Sequence, residues 1–187
     1  MGLLTIIKKQ KLKDKEIRIL ILGLDNSGKT TIIKKILNKD IDEISPTMGF
    51  EINTLEYQEY TLNIWDIGGQ TTLRTFWNNY FDKTDLIIWV IDSLSENRLE
   101  ESFKELYNKI ILQDKLTYGI YLLIMINKID LVKDKEQLMN LKNNVVNNLK
   151  LNDSSVINSN QWDIELVSGK TGEGLENCLK WIISKDY

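Results

Sequence analysis

The stretch EIRILILGLDNSGKTTIIKKIL, residues 16–37, decides the fold. It opens with an apolar run, 16–24, whose approach to glycine suits a parallel strand covered on both faces. Thr30 to Leu37 then places Ile32, Ile33, Ile36 and Leu37 at helical spacing. Between them lies Gly23-x4-Gly28-Lys29-Thr30, a phosphate-binding loop in its required context of strand, loop and helix. Glycines allow the backbone to wrap closely, so that consecutive N–H groups converge on phosphate at a helix N-terminus. Gly23, Leu24, Asp25, Asn26, Ser27, Gly28 and Thr31 are therefore expected to line a nucleotide's phosphates. Lys29 supplies a point charge to the β- and γ-phosphates, and Thr30 a hydroxyl for magnesium. The loop alone fits kinases, ATPases and GTPases equally. Asp25 is an anion inside an anion site. In such a nest the side chains at 24–27 point outward or across the mouth, so the carboxylate is tolerated there. Its expected place is beside the terminal phosphate, which it would repel, favouring a diphosphate-bound resting state.

Outward from this unit the chain keeps alternating. Residues 39–49 are polar, hold the only proline, Pro46, and read as a loop. FEINTLEY and TLNIWDI flank Gln58–Tyr60 as two strands of a hairpin. TDLIIWVID and GIYLLIMIN are further buried strands, with helical periodicity from Glu96 to Lys115 between them. Another helix is expected over Lys133–Lys150, a short strand over Asp163–Val167 and a last helix over Gly174–Ser184. The expected architecture is a single α/β domain: a mostly parallel six-stranded sheet with helices on both faces, binding its ligand at the carboxyl ends of the strands.

A second motif selects the base. Asn127-Lys128-Ile129-Asp130 ends a predicted strand, and the Asp130 carboxylate can accept both N1–H and N2–H of guanine. Adenine has no matching pair of donors, and a lost buried hydrogen bond of this kind discriminates by about 10⁴ or more. The aliphatic stem of Lys128 can cover the base face. Ser168-Gly169-Lys170, after the last strand, can offer backbone N–H to the guanine carbonyl. Two loops remain. In Trp65-Asp66-Ile67-Gly68-Gly69-Gln70, Asp66 can hold magnesium through water, the Gly69 N–H can reach a γ-phosphate, and Gln70 can orient an attacking water. Thr47 can complete the magnesium shell when the third phosphate is present. Together the two loops make a γ-phosphate sensor.

Taken with MGLLTIIKKQKLKDKEIRIL, GLDNSGKTTI, ISPTMGF, LNIWDIGGQ, NYF and TDLIIWVIDS, these motifs resemble the ADP-ribosylation-factor family of Ras-like small GTPases over nearly the whole chain. The resemblance implies the P-loop GTPase fold, GTP or GDP with Mg2+ as cofactors, and slow hydrolysis accelerated by an activating protein. It also implies an exchange factor, a hairpin that slides during exchange, and effectors that dock on Phe50, Trp65 and Tyr80. Effectors of the kinds it suggests are carriers of lipidated proteins and a tubulin-folding cofactor. A monomer is expected, in the cytoplasm with a cytoskeletal or mitochondrial pool. Ile129 and Gly169 depart from the family's usual polar residue and alanine, and neither departure removes a named contact. Two rival readings are a phosphate-transferring kinase and a GTP-stabilised binding protein without useful hydrolysis. Base specificity and Gln70 argue against them.

Composition sets the outer bounds. The 187 residues are 42% apolar and 27% charged, a globular balance. A net charge of -3 argues against nucleic acid as partner. There is no histidine, which removes histidine triads and histidine zinc sites, and the single Cys178 falls at core spacing with Leu175, Leu179 and Ile182. No apolar run reaches the roughly 18 residues of a membrane span. Residues 1–15 are expected to form an amphipathic helix with Leu3, Leu4, Ile6 and Ile7 on one face, ahead of a GTP-binding domain at 16–187. Gly2 invites myristoylation, but Ile6 stands where that pattern needs Ser or Thr, so membrane contact is expected to be weak at most. Of the three arginines, Arg18 lies in the first strand, Arg98 on a helix expected to be distant, and Arg74 on a turn expected to face outward. Ser45 occupies the position two before Thr47 where a cis arginine would sit. Hydrolysis by the chain alone should therefore be slow, with an arginine supplied by a partner.

Overall fold

The computed structural model describes residues 15–112 and 119–187. The expected N-terminal helix, and the end of the helical stretch expected up to Lys115, lie outside the described residues. Six strands form one sheet: β1 (Glu16–Leu22), β2 (Phe50–Tyr57), β3 (Tyr60–Ile67), β4 (Leu86–Asp92), β5 (Tyr121–Asn127) and β6 (Trp162–Leu166). Their spatial order is β2-β3-β1-β4-β5-β6. Only the β2–β3 hairpin is antiparallel, pairing Phe50 with Ile67 through to Tyr57 with Tyr60. The other neighbours run parallel, as crossover connections through helices require.

Four helices complete the described fold: α1 (Lys29–Ile36), α2 (Leu99–Leu106), α3 (Lys135–Asn148) and α4 (Leu175–Ile183). Because β1, β4 and β5 are covered on both sides, their side chains alternate between two cores. Leu20, Leu22, Trp89, Ile91, Ile124 and Ile126 face α2 and α3, meeting Leu106, Leu141 and Val145. Ile19, Ile21, Ile88, Val90, Leu123 and Met125 face α1 and α4, meeting Ile32, Ile33, Cys178 and Ile182. This is why neighbouring residues along most of these strands both read as apolar. Cys178 is a buried core thiol whose pKa burial pushes far up.

The structure trims the expected elements. The helix read from Glu96 begins as a 3₁₀ turn at Glu96–Arg98, becomes α2, and widens into a π-turn over Tyr107–Ile111. Helix α3 starts at Lys135, where the Asp134 side chain accepts from the Glu136 N–H and caps the first turn. A 3₁₀ segment over Arg74–Tyr80 has no counterpart among the expected elements. Its sequence, RTFWNNY, has neither a helical nor a strand period. The carboxyl ends of β1, β3, β4, β5 and β6 all open to the same end of the sheet, and every motif read above sits there.

Candidate functional site

A cavity of about 390 Å³ opens at that end, lined among others by Gly28, Lys29, Thr30, Thr31, Thr47, Gly69 and Gln70. The phosphate loop forms one wall. Gly28 has φ +94°, and a Cβ there would collide with the Asn127 side chain, so glycine is required on both counts. The first N–H groups of α1 have no carbonyl a turn earlier to meet and are left for an anion. Lys29 is buried, and its Nζ donates to the carbonyls of Gly23 (3.0 Å) and Leu24 (2.9 Å). Burial lowers its pKa to about 8, against the opposing pull of the Asp66 and Asp25 charges. Leu24 is itself buried, so it serves through its backbone.

Thr30, Thr47 and Asp66 converge at one point. The Thr30 hydroxyl donates to Asp66 Oδ2 at 2.6 Å, the Thr47 hydroxyl lies 2.9 Å from that of Thr30, and Thr47 also donates to Asp66 Oδ2 at 3.2 Å. Asp66 is fully buried, and burial raises its pKa despite these bonds. Its Oδ1 has no hydrogen-bond partner. A buried carboxylate oxygen without a partner, beside two hydroxyls, is a hard-oxygen set that fits Mg2+. Among the described residues no group of three or more histidine, cysteine, aspartate or glutamate side chains is placed to hold a metal ion.

The base side is built by bracing. Asn127 is buried at the end of β5, where its Nδ2 donates to the Ser27 carbonyl and its Oδ1 accepts from the Gly169 N–H, both at 2.9 Å. It therefore ties the phosphate loop to the loop after β6. Lys128 sits in left-handed backbone (φ +69°) and pairs with Asp92 at 2.8 Å. Burial pushes the Asp92 carboxyl up, but bonds from Lys128, the Leu94 N–H and Ser95 outweigh it and hold it low. The Ser168 hydroxyl donates to Asp130 Oδ1 at 2.6 Å, aiming a carboxylate on an otherwise exposed residue. The Ser168 N–H is taken by the Glu173 carbonyl and the Gly169 N–H by Asn127, so Lys170 is the residue of the three with an N–H left for a base carbonyl.

Two arginines overturn the expectations made for them. Arg74 does not face outward: it is 3% exposed, and it donates to the Gly69 carbonyl (2.9 Å), Glu101 (2.7 Å) and Glu105 (3.3 Å). Arg98 is not distant: its Nη2 lies 2.8 Å from Asp25 Oδ1. Arg74 approaches the same oxygen at 3.4 Å. The Arg98 hydrogen bond and charge, with help from Arg74, keep the Asp25 carboxyl low. The carboxylate lines the cavity and faces two guanidinium groups, so it is not unpaired. Gln70 rests against Met48, its Nε2 3.8 Å from the sulfur. Residues the sequence reading missed are Asp92, Arg74, Arg98 and Trp77. Asp92 alone carried a signal, since it ends an apolar strand in register with Asn127.

On the hairpin face, Phe50 stacks on Trp65 (5.5 Å, 17°) and meets Tyr80 at 5.5 Å. Phe50 is 46% exposed, as are Met48, Ile52 and Phe76 to similar or greater degree, whereas Trp65 and Tyr80 are partly buried and pack against the core.

A phosphate loop, a buried carboxylate bonded by two threonine hydroxyls, a glutamine turn and a serine-braced aspartate on this sheet define a guanine-nucleotide-binding switch of the P-loop class. A model of the ADP-ribosylation factor family matches residues 3–186, and the chain belongs to that family. It is 46% identical to ADP-ribosylation factor-like protein 2 of Dictyostelium discoideum over 98% of this chain and 94% of that protein. It is 47% identical to the protein of that name from Arabidopsis thaliana, over 98% and 94%. Among solved structures it is similar to the Arl6 BBS3 small GTPase of Trypanosoma brucei with bound GppNp, at TM-score 0.73 and 27% identity, covering 91% of this chain and 97% of that one. As a family member the chain is a small GTPase that binds GTP or GDP with Mg2+, hydrolyses GTP to GDP and phosphate, and works with effectors, exchange factors and activating proteins.

Proposed function

We propose that this switch assigns its parts as follows. Residues 23–31 cradle the phosphates through backbone N–H groups, with Lys29 as their counter-charge. Thr30, Thr47 and Asp66 hold Mg2+, which when bound neutralises phosphate charge. Gly69 reads the γ-phosphate, and Gln70 orients the attacking water. Asp130, aimed by Ser168, reads guanine, Lys128 covers the base, and Lys170 offers its N–H to the base carbonyl. Asn127 and Gly169 act by bracing. The observation that carries this reading is the meeting of Thr30, Thr47 and Asp66 around the unpartnered Asp66 Oδ1.

All three arginines are engaged, Arg18 against the Trp65 ring at 4.3 Å and the other two with carboxylates, which supports an activating partner that brings its own. Residues 16–187 form the GTP-binding domain. The aromatic patch of exposed Phe50 with partly buried Trp65 and Tyr80 receives effectors, and the family resemblance points to lipidated-cargo carriers and a tubulin-folding cofactor reached from a cytoplasmic pool. Among the described residues no helix is long and apolar enough to cross a membrane. The test compares binding and single-turnover hydrolysis of GTP and ATP by the wild type and Gln70→Leu, followed by capture of partners on the GTP-locked form. Tight ATP binding, or unaltered hydrolysis by Gln70→Leu, would refute the assignment.

A further inference from the structure

The turn that carries Gln70 is pinned from outside the nucleotide cavity. The Trp77 indole Nε1 donates to the Gly68 carbonyl at 3.1 Å, and the Arg74 Nε donates to the Gly69 carbonyl at 2.9 Å. Both side chains come from the 3₁₀ segment, and both are buried, Trp77 completely. The Asp25 N–H adds a second bond to the Gly69 carbonyl at 3.2 Å. A trans peptide holds its N–H opposite its C=O. Fixing the carbonyls of Gly68 and Gly69 therefore fixes the N–H groups of Gly69 and Gln70, and turns them away from the 3₁₀ segment. Neither N–H has a partner among the described residues, and both residues line the cavity. The pinning is tight. A Cβ on Gly69 would collide with the Gly23 carbonyl and lie 2.5 Å from the Asp25 nitrogen.

Arg74 is itself anchored. Glu101 and Glu105 hold its Nη1, and Glu101 is bound in turn by Arg98 at 3.0 Å. Glu101 and Glu105 belong to α2, so the orientation of the two peptides is referred to a helix packed in the core.

We propose that Arg74 and Trp77 are positioning residues for the glutamine turn: by holding two successive carbonyls they set two N–H donors for the terminal phosphate and aim Gln70. Neither touches nucleotide. This rests on the reading of the turn as the γ-phosphate sensor, and it adds the parts that make the sensor rigid. A lysine at 74 keeps the charge but cannot donate from a planar fork to a carbonyl and two carboxylates at once. A phenylalanine at 77 keeps the ring and removes the indole donor.

The experiment compares Arg74→Lys and Trp77→Phe with wild type in three measurements: GDP affinity, affinity for a non-hydrolysable GTP analogue, and single-turnover GTP hydrolysis. Donors to an anion are worth about tenfold each in equilibrium terms. The expected result is a fall of about tenfold in the analogue/GDP affinity ratio and in hydrolysis rate, with GDP affinity unchanged. Combining each variant with Gln70→Leu should lose less hydrolysis than the product of the two single losses, because part of the clamp's effect passes through the Gln70 side chain. Equal losses for both nucleotides, or no loss for either, would overturn the proposal. If Arg74→Lys fails to fold, Glu101→Gln with Glu105→Gln removes the anchors instead and must give the same ratio change. If Gln70→Leu alone hydrolyses GTP like wild type, the sensor reading itself falls; if it is slowed and the clamp variants are not, only the clamp falls.

Discussion

Lys29 makes nucleotide binding a proton-coupled event. Its ammonium is buried against two carbonyls, and burial brings its pKa from 10.5 to about 8 in the nucleotide-free protein. At about 1.4 kcal/mol per pH unit this difference is a cost of about 3 kcal/mol for keeping the charge inside. Below pH 8 the folded and unfolded chains are both protonated at this site, and the folded protein carries the whole cost. Between about 8 and 10.5 the unfolded chain holds a proton that the folded one lacks, so stability of the nucleotide-free protein rises with pH across that window. Phosphate reverses the situation, since an anion at the ammonium favours the charged form. Binding above pH 8 must then take up a proton, and the GDP association constant should fall about eightfold from pH 7.5 to 9. Asp25 and Asp92 are held low and stay ionised throughout, so they add no slope. Calorimetric titration of GDP in buffers of different ionisation heat, at fixed excess magnesium, reads the proton uptake directly. An affinity flat from pH 7.5 to 9, with no net proton uptake at pH 9, would refute the assignment of Lys29 as the buried phosphate counter-charge.

Three further outcomes follow from named contacts. Asp130→Asn should weaken GTP binding at least about tenfold and improve xanthosine triphosphate binding, because the amide donates where the carboxylate accepts; a competition titration measures both. Asn127→Ala should cost about 2–4 kcal/mol of stability in denaturant unfolding of the GDP form, since it strands the buried Ser27 carbonyl and Gly169 N–H together. The wild type alone should turn over GTP more slowly than about 10⁻² s⁻¹, and Gln70→Leu should keep GTP binding while abolishing stimulated hydrolysis; single-turnover assays with and without an activating protein check both.

How much of this was legible in the sequence depends on distance along the chain. Strands β1, β4 and β5 were readable because each is a largely apolar run, as burial on two faces requires. The phosphate loop, the glutamine turn and the base motif were readable because each is local and each ends a strand. What failed was set by contacts with no local pattern of their own, most of them far along the chain. Arg98 is 73 residues from Asp25 and Arg74 is 49 from it, and nothing in RTFWNNY or SENRLE announces either contact. The Ser168 and Gly169 N–H groups looked free because their acceptors, Glu173 and Asn127, come into reach only once the loops have folded. The 3₁₀ segment was invisible because its residues are ordered by what they hold, two glycine carbonyls and a core contact, and not by a period of their own.

The same network explains why an acid is compatible with an anion-binding loop. Arg74 is the costly member: its side chain is 4% exposed, and a buried guanidinium deprived of its partners would lose about 3–5 kcal/mol. Asp25 is the inexpensive member, with a side chain 44% exposed, and its pair with Arg98 is worth about 1 kcal/mol once solvent screening is counted. The arrangement therefore places the requirement for pairing on the arginine and leaves the aspartate as its adjustable end. Asp25 also keeps its N–H on the Gly69 carbonyl, the oxygen that Arg74 holds from the other side. Phosphate loop, glutamine turn and α2 thus meet at one carbonyl and one guanidinium. The carboxylate at position 25 therefore joins the phosphate loop to Arg98 and Arg74, with its charge paired by guanidinium groups.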